Sequence, residues 1–263
     1  MKRSEDSSCD KLKNEPGNEE SALKRQKIST ISKFVLRFEP GKWLIHISLP
    51  VEFDKKGFEY LENLLDYLKT NTKDIKELKS VSLLDEFHIS LSKPFLLKNS
   101  QSKILIENVQ KEVMNQKAFL CKLEDVIILP SSLSQIEIYE HGENELENTK
   151  LETKVFVALK LNINEEETRE NLEKLVKNVN TALVSTSKSI QLYYKNPIFH
   201  ISVAYLTFDF QNEDKLNEGS SLRIKEIIEN FKKATNDFIL YSNFSLNRLK
   251  IKCGNKFIFS KFD

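Results

Sequence analysis

Apolar and polar residues follow no regular period through residues 1–30, and a pattern begins at Phe34. Residues 43–50 ("WLIHISLP") form an apolar run with the composition of a strand. In 58–69 ("FEYLENLLDYLK") the apolar positions Phe58, Leu61, Leu64, Leu65 and Leu68 have the spacing of an amphipathic helix. A second strand is expected at 87–94 ("FHISLSKP"), stopped by Pro94, and a helix at 102–116. Strands at 120–130 and 134–141 lead to a polar, acidic loop at 141–152. The order then recurs: strand 154–162, helix 165–183, strand 198–208 ("IFHISVAYLTF") and helix 221–235. The end, 246–262, reads as a hairpin turning at Gly254–Asn255. Short strands broken by single helices indicate an α+β fold.

Both halves thus run strand, helix, "FHIS" strand, helix. Overlaying them sets His88 on His200 and sets His46 on a strand, "KVFVALKLN", that has no histidine. Two similar lobes related by a pseudo-two-fold axis follow, with antiparallel sheets lining a central groove and helices outside. One "FHIS" strand is expected on each side of the groove. Residues i and i+2 of a strand share a face, about 6.5 Å apart. His88, Ser90 and Ser92 are therefore expected on one face, as are His200, Ser202 and Ala204. The alternate residues, Phe87, Ile89 and Leu91, and Phe199, Ile201, Val203 and Tyr205, would anchor each strand in the core.

Composition narrows the chemistry. Residues 1–30 are rich in Lys, Glu, Ser and Asn without an aromatic, the signature of a disordered tail; the length allows one large domain or two small ones, and the repeat makes 31–263 the expected single bilobal domain. The first lobe is mainly 34–140 and the second mainly 150–263, with strand exchange between them allowed. Hydrophobic residues make up 40% of the 263, enough for a sizeable core, and the net charge is only +1. That balance argues against a broad duplex-binding surface, but not against a grip on one or two nucleotides of a single strand. Cys9, Cys121 and Cys253 are odd in number and lack ligand spacing, so they read as reduced thiols in an intracellular protein. Neither a secretory signal nor a membrane-spanning run is present in the sequence, and a membrane partner is not expected. "KRQK" at 24–27 fits a nuclear-import signal or a solvated charge cluster.

Three of the four histidines sit in the tripeptide His-Ile-Ser, at 46–48, 88–90 and 200–202. Two histidines on facing walls suit general acid–base catalysis, one neutral and taking a proton, the other protonated and giving one. Serine hydroxyls beside them can hold non-bridging phosphate oxygens. Such a set needs no metal or cofactor. The bland alternative is a pair of histidines sharing a tripeptide by chance, which the repeat argues against. His46 matches the local motif but has no counterpart in the second half, so it is assigned a structural role such as a hydrogen bond across the sheet. His141 reads as solvated. Lys93 and Lys195 are either phosphate contacts or ordinary surface lysines.

These residues resemble the 2H phosphoesterase superfamily, defined by two His-x-Ser/Thr motifs in apolar strands. The likeness narrows to the branch that trims and finishes the 3′ end of U6 small nuclear RNA. "FHISLSKP" resembles its first motif and "YYKNPIFHISVAYL" (193–206) its second. "RFEPGKWLIHISLP" (37–50) resembles its entry strand, and "IKCGNKFIF" (251–259) its closing hairpin. The resemblance implies a two-lobed α+β fold and a metal-independent 3′-to-5′ RNA exonuclease acting in the nucleus as a monomer on a uridine-rich single-stranded 3′ end. It implies that His88 and His200 are the catalytic pair and that Ser90 and Ser202 bind phosphate. Tyr194 would stack on the terminal base, with Asn196, Pro197 and Lys93 completing the substrate site. The reaction implied is attack by the penultimate 2′-OH, which leaves a 2′,3′-cyclic phosphate that some relatives open to a monophosphate. Two other readings fit the motifs. One is a 2H phosphoesterase for 2′,5′-linked oligonucleotides or small cyclic phosphates; the other is a non-catalytic RNA-end binder.

Overall fold

The computed structural model describes residues 41–130, 152–190, 192, 197–209, 218–241 and 243–263. The tail expected at 1–30, the strand at 134–141, most of the acidic loop, Cys9 and His141 lie outside them. In chain order the described elements are β1 (Lys42–Pro50), α1 (Lys55–Asn71), β2 (Leu78–Leu83), β3 (His88–Ser90), β4 (Phe95–Lys98), α2 (Asn99–Val113) and β5 (Phe119–Pro130). They continue with β6 (Glu152–Leu161), α3 (Glu166–Thr186), β7 (His200–Asp209), α4 (Glu218–Tyr241), β8 (Asn243–Leu246), β9 (Arg248–Cys253) and β10 (Lys256–Lys261).

All four expected helices form. In α1 the buried stripe is Tyr60, Leu61, Leu64 and Leu68, and Asp54 caps the N-terminus by accepting from the Gly57 amide at 2.8 Å. Phe58, counted in that stripe, instead stands on the rim and is half exposed, edge-on to Phe53. The second "FHIS" strand runs on to Asp209, but the first ends at Ser90. The chain then bends through Pro94 into β4, a separate strand antiparallel to β1. β2 and β8 are further short strands that the apolar pattern does not announce.

The strands join in one ten-stranded sheet of the described residues, in the order β10-β9-β1-β3-β7-β6-β5-β8, with β2 also on β7 and β4 also on β1. The pairings among the described strands are antiparallel. The two "FHIS" strands, expected on opposite sides of a groove, are neighbours in this sheet, paired at Ile89 and Ile201. Apolar alternate residues explain the contact: Ile89 and Ile201 are both fully buried, so edge-to-edge joining keeps both core faces continuous.

Strands are exchanged between the halves. β5, from the first half, pairs with β6, and β9, from the second, pairs with β1. The helices follow the same exchange, α2 packing on α3 and α1 on α4. Ile45, Ile47 and Leu49 of β1 and Val157 and Leu159 of β6 lie at 0% exposure beneath them.

Two sequence motifs meet at one turn. Gly254 has φ +57°, a left-handed conformation that glycine adopts without strain, and a Cβ there would lie 2.3 Å from Trp43 Cε3. The Gly254 amide donates to the Leu44 carbonyl at 2.8 Å. The Gly-x-Trp entry and the Gly-Asn-Lys ending are thus one packing unit that fastens β9 to β1.

Candidate active site

The pairing of Ile89 with Ile201 brings the histidines together. Continuing that antiparallel register one residue each way sets His88 opposite Ser202 and Ser90 opposite His200. Directly opposed residues lie about 5 Å apart and diagonal ones about 7–8 Å. The two histidines are on the diagonal, a span that one phosphate fills with a hydrogen bond on each side. The flanking strands keep the same face: Ser48 and Pro50 of β1 oppose Ser90 and His88, and Ala158 and Lys160 of β6 oppose Ser202 and His200.

Each imidazole is held from behind. His200 Nδ1 donates to the Ile198 carbonyl at 2.6 Å, which leaves Nε2 to exchange a proton. His88 is hydrogen-bonded to the backbone of Glu86, again two residues earlier. Both are held below the ordinary histidine pKa, mainly by burial. At His88 the Lys250 ammonium and His200 lower the value further, while Glu86 opposes them. At His200 the Ile198 carbonyl opposes burial. What distinguishes the pair is the Lys250 cation beside His88, since a backbone acceptor two residues earlier favours protonation of both.

His46 belongs to the same neighbourhood. Its Nε2 lies 3.1 Å from Ser90 Oγ, so the hydrogen bond expected across the sheet is present and falls on a motif serine. Its ring meets that of His88 edge-on at 5.1 Å. Burial, His88 and the Lys252 and Lys250 ammoniums push His46 down to about 3, so it is neutral at any working pH. It can orient Ser90 and His88 but cannot serve as an acid.

Not every expected neighbour reaches the site. Ser92 is buried and accepts from the Ile47 amide at 3.0 Å, because β3 ends before the alternation carries it forward. In β7 the register with β6 shifts between Ser202 and Ala204. That bulge turns Ala204 into the core and brings half-buried Tyr205 to the histidine face, beside Phe156 and under the Lys154 ammonium. Lys93 lies just beyond β3 and is half-buried. Pro197 lines a groove of about 730 Å³ along α3, with Val176, Val184, Leu192 and Phe199, which neither histidine lines. Tyr194, Asn196 and Lys195 lie outside the described residues.

Sequence reasoning passed over Lys250 and Glu86. Lys250 Nζ meets Glu86 Oε2 at 2.6 Å with the lysine side chain only 13% exposed. The Lys250 hydrogen bond in turn holds the Glu86 carboxyl below its usual range. The alternating cations of "RLKIK" at 248–252 were the available signal. The buried thiols are outside this chemistry; burial raises Cys121 to about 12, leaving it a protonated, inert side chain.

Known proteins share this fold and its sequence pattern. U6 snRNA phosphodiesterase 1 of Xenopus laevis is 22% identical over 220 residues, 84% of this chain and 74% of the relative. The Bos taurus protein of the same name is 23% identical over 83% of this chain and 69% of its own length. The structure of Kluyveromyces marxianus Usb1 shares the fold at a TM-score of 0.58 and 15% identity, covering 83% of this chain and 98% of that one. The same protein with uridine monophosphate matches equally. A family model named HVSL and described as an uncharacterised conserved protein covers residues 10–260, and the chain belongs to that family.

Proposed function

We propose that the protein is a metal-independent 3′-to-5′ exoribonuclease that finishes the uridine-rich 3′ end of U6 small nuclear RNA, as a monomer acting in the nucleus. The observation that supports the reading is the β3–β7 pairing at Ile89 and Ile201, from which the two His-x-Ser motifs lie diagonally across neighbouring strands, a spacing that suits one phosphate. The names of the relatives in Xenopus laevis and Bos taurus support U6 small nuclear RNA as the substrate.

The terminal phosphodiester lies between the imidazoles, its non-bridging oxygens on the Ser90 and Ser202 hydroxyls. His88, kept neutral by burial and by Lys250, takes the proton of the penultimate ribose 2′-OH. The 2′-oxygen bonds to phosphorus and the bond to the terminal nucleoside's 5′-oxygen breaks. His200, whose Nδ1–H is anchored on Ile198, delivers the proton from Nε2 to that leaving oxygen. The products are the released nucleoside and an RNA ending in a 2′,3′-cyclic phosphate. Water can then open the ring to a monophosphate with the two histidines exchanging roles. Tyr194 stacks on the departing uracil, and Asn196 and Lys93 hold the last nucleotide.

A pair of uridine dinucleotides, one 3′,5′-linked and one 2′,5′-linked, tests the reading in EDTA. Turnover of the 3′,5′ compound is expected. Turnover only of the 2′,5′ compound, or only with added Mg²⁺, contradicts it.

A further inference from the structure

The histidine face of the sheet does not end at β1. Register carries it outward, because His46 and Ser48 oppose Lys252 and Lys250 on β9. Lys252, Lys250 and Arg248 in turn oppose Phe257, Phe259 and Lys261 on the edge strand β10. The two phenylalanines are 45% and 49% exposed, while the intervening Ile258 packs against the core. Cations sit against both rings. Lys250 Nζ is 4.1 Å and Lys252 Nζ 5.8 Å from the Phe257 centroid, and the Arg248 guanidinium is 5.3 Å from that of Phe259. Lys250 also acts electrostatically on both His46 and His88, so this surface and the active site are continuous.

We infer that β9 and β10 form a stacking platform for single-stranded RNA just upstream of the scissile end; the inference rests on the function proposed above. Three features favour RNA over a protein partner. Residues 248–261 contain Arg248, Lys250, Lys252, Lys256 and Lys261 and no acidic residue. Two of these cations are engaged, Arg248 by Glu52 and Lys250 by Glu86. Lys252 and Lys261, on the same face as the two rings, make no ion pair among the described residues and are left to meet phosphates. Exposed rings alternating with lysines on an open sheet are what stacked bases and their backbone require. The distance also fits: three strand spacings separate β3 from β10, about 14 Å, the reach of a few nucleotides. Bases stacked there would hold the strand so that its end lies between His88 and His200.

The test compares the wild-type protein with Phe257→Ala/Phe259→Ala. Fluorescence anisotropy reads the affinity for an oligouridylate twelve-mer whose penultimate ribose is 2′-deoxy, so that the proposed nucleophile is missing. Loss of two stacking surfaces is expected to weaken binding about tenfold or more, and Phe257→Tyr/Phe259→Tyr to restore it. The ratio of wild-type to variant kcat/KM should be at least about tenfold larger for the twelve-mer than for a dinucleotide, which cannot reach β10. Equal twelve-mer affinity in a variant with wild-type unfolding behaviour overturns the inference. So does a wild-type dimer that the substitution dissociates without changing RNA affinity, which would make this face a self-contact. Absence of turnover by the wild-type protein would count against the proposed function alone, since the affinity comparison stands without it.

Discussion

Replacing His46 tests the claim that it is a neutral structural member of the site. His46→Ala removes the contact to Ser90 at 3.1 Å and the ring packed edge-on against His88. Near pH 7.5 the lost hydrogen bond and the gap left behind should cost about 1–3 kcal/mol. That cost should depend on pH. The folded protein holds His46 near 3 against an ordinary 6.5, so between those values the unfolded chain binds a proton that the folded one refuses. Stability therefore falls as pH drops below 6.5 in the wild type, by up to about 1.4 kcal/mol per pH unit from this residue. The variant lacks the group and escapes the loss, whereas His88 and His200 titrate in both proteins and largely cancel. By about pH 5 the penalty of the substitution should have shrunk by on the order of 2 kcal/mol. Urea unfolding of both proteins at the two pH values measures this. A penalty that is constant, or that grows in acid, would mean His46 is protonated in the folded state and would refute the assignment.

His88→Ala and His200→Ala should each lower kcat by roughly 10²–10⁴-fold while leaving the unfolding midpoint near wild type at neutral pH, as turnover and urea titration together will show. Lys250→Met removes the cation that holds His88 down and leaves Glu86 beside it, so His88 should protonate at higher pH. The acidic limb of the kcat/KM profile should move upward; an unmoved limb would separate Lys250 from the base. Gly254→Ala places a Cβ at φ +57° and against Trp43, which together should cost about 2–4 kcal/mol in urea unfolding. Part of that penalty should vanish in a Trp43→Leu background, where the clash is relieved and only the backbone cost remains.

Much of this arrangement was legible in the chain because its signals are local. Helical stripes such as Leu61, Leu64 and Leu68 need only a period, and the order of elements together with the shared tripeptide set His88 against His200. The Gly254–Asn255 turn was legible for the same reason, since β9 and β10 are adjacent in sequence. What escaped depends on distant partners. β2 ("LKSVSL") is short and half polar and exists as a strand because β7 offers it an edge. Nothing near Ile251 indicates that it pairs with Ile47, so the approach of Lys250 to Glu86 and His88 could not be read. Ser92 and Ala204 were misplaced because strict alternation was carried through a strand end and a bulge. The two walls of a groove became neighbours in one sheet through a single residue pair, Ile89 and Ile201.

The central claim is that His88 and His200 flank a phosphodiester and drive attack by the neighbouring 2′-OH. Mass analysis of the RNA 3′ end tests it most directly, after a uridine-ended RNA is incubated in EDTA with the wild-type protein or with His200→Ala. The account predicts wild-type products shortened by whole nucleotides and ending in a 2′,3′-cyclic phosphate, one water lighter than the corresponding monophosphate, with free nucleoside released and the variant's RNA left intact. Shortened RNA ending in a 3′-hydroxyl with nucleoside 5′-monophosphate released, or equal shortening by the variant, would contradict it.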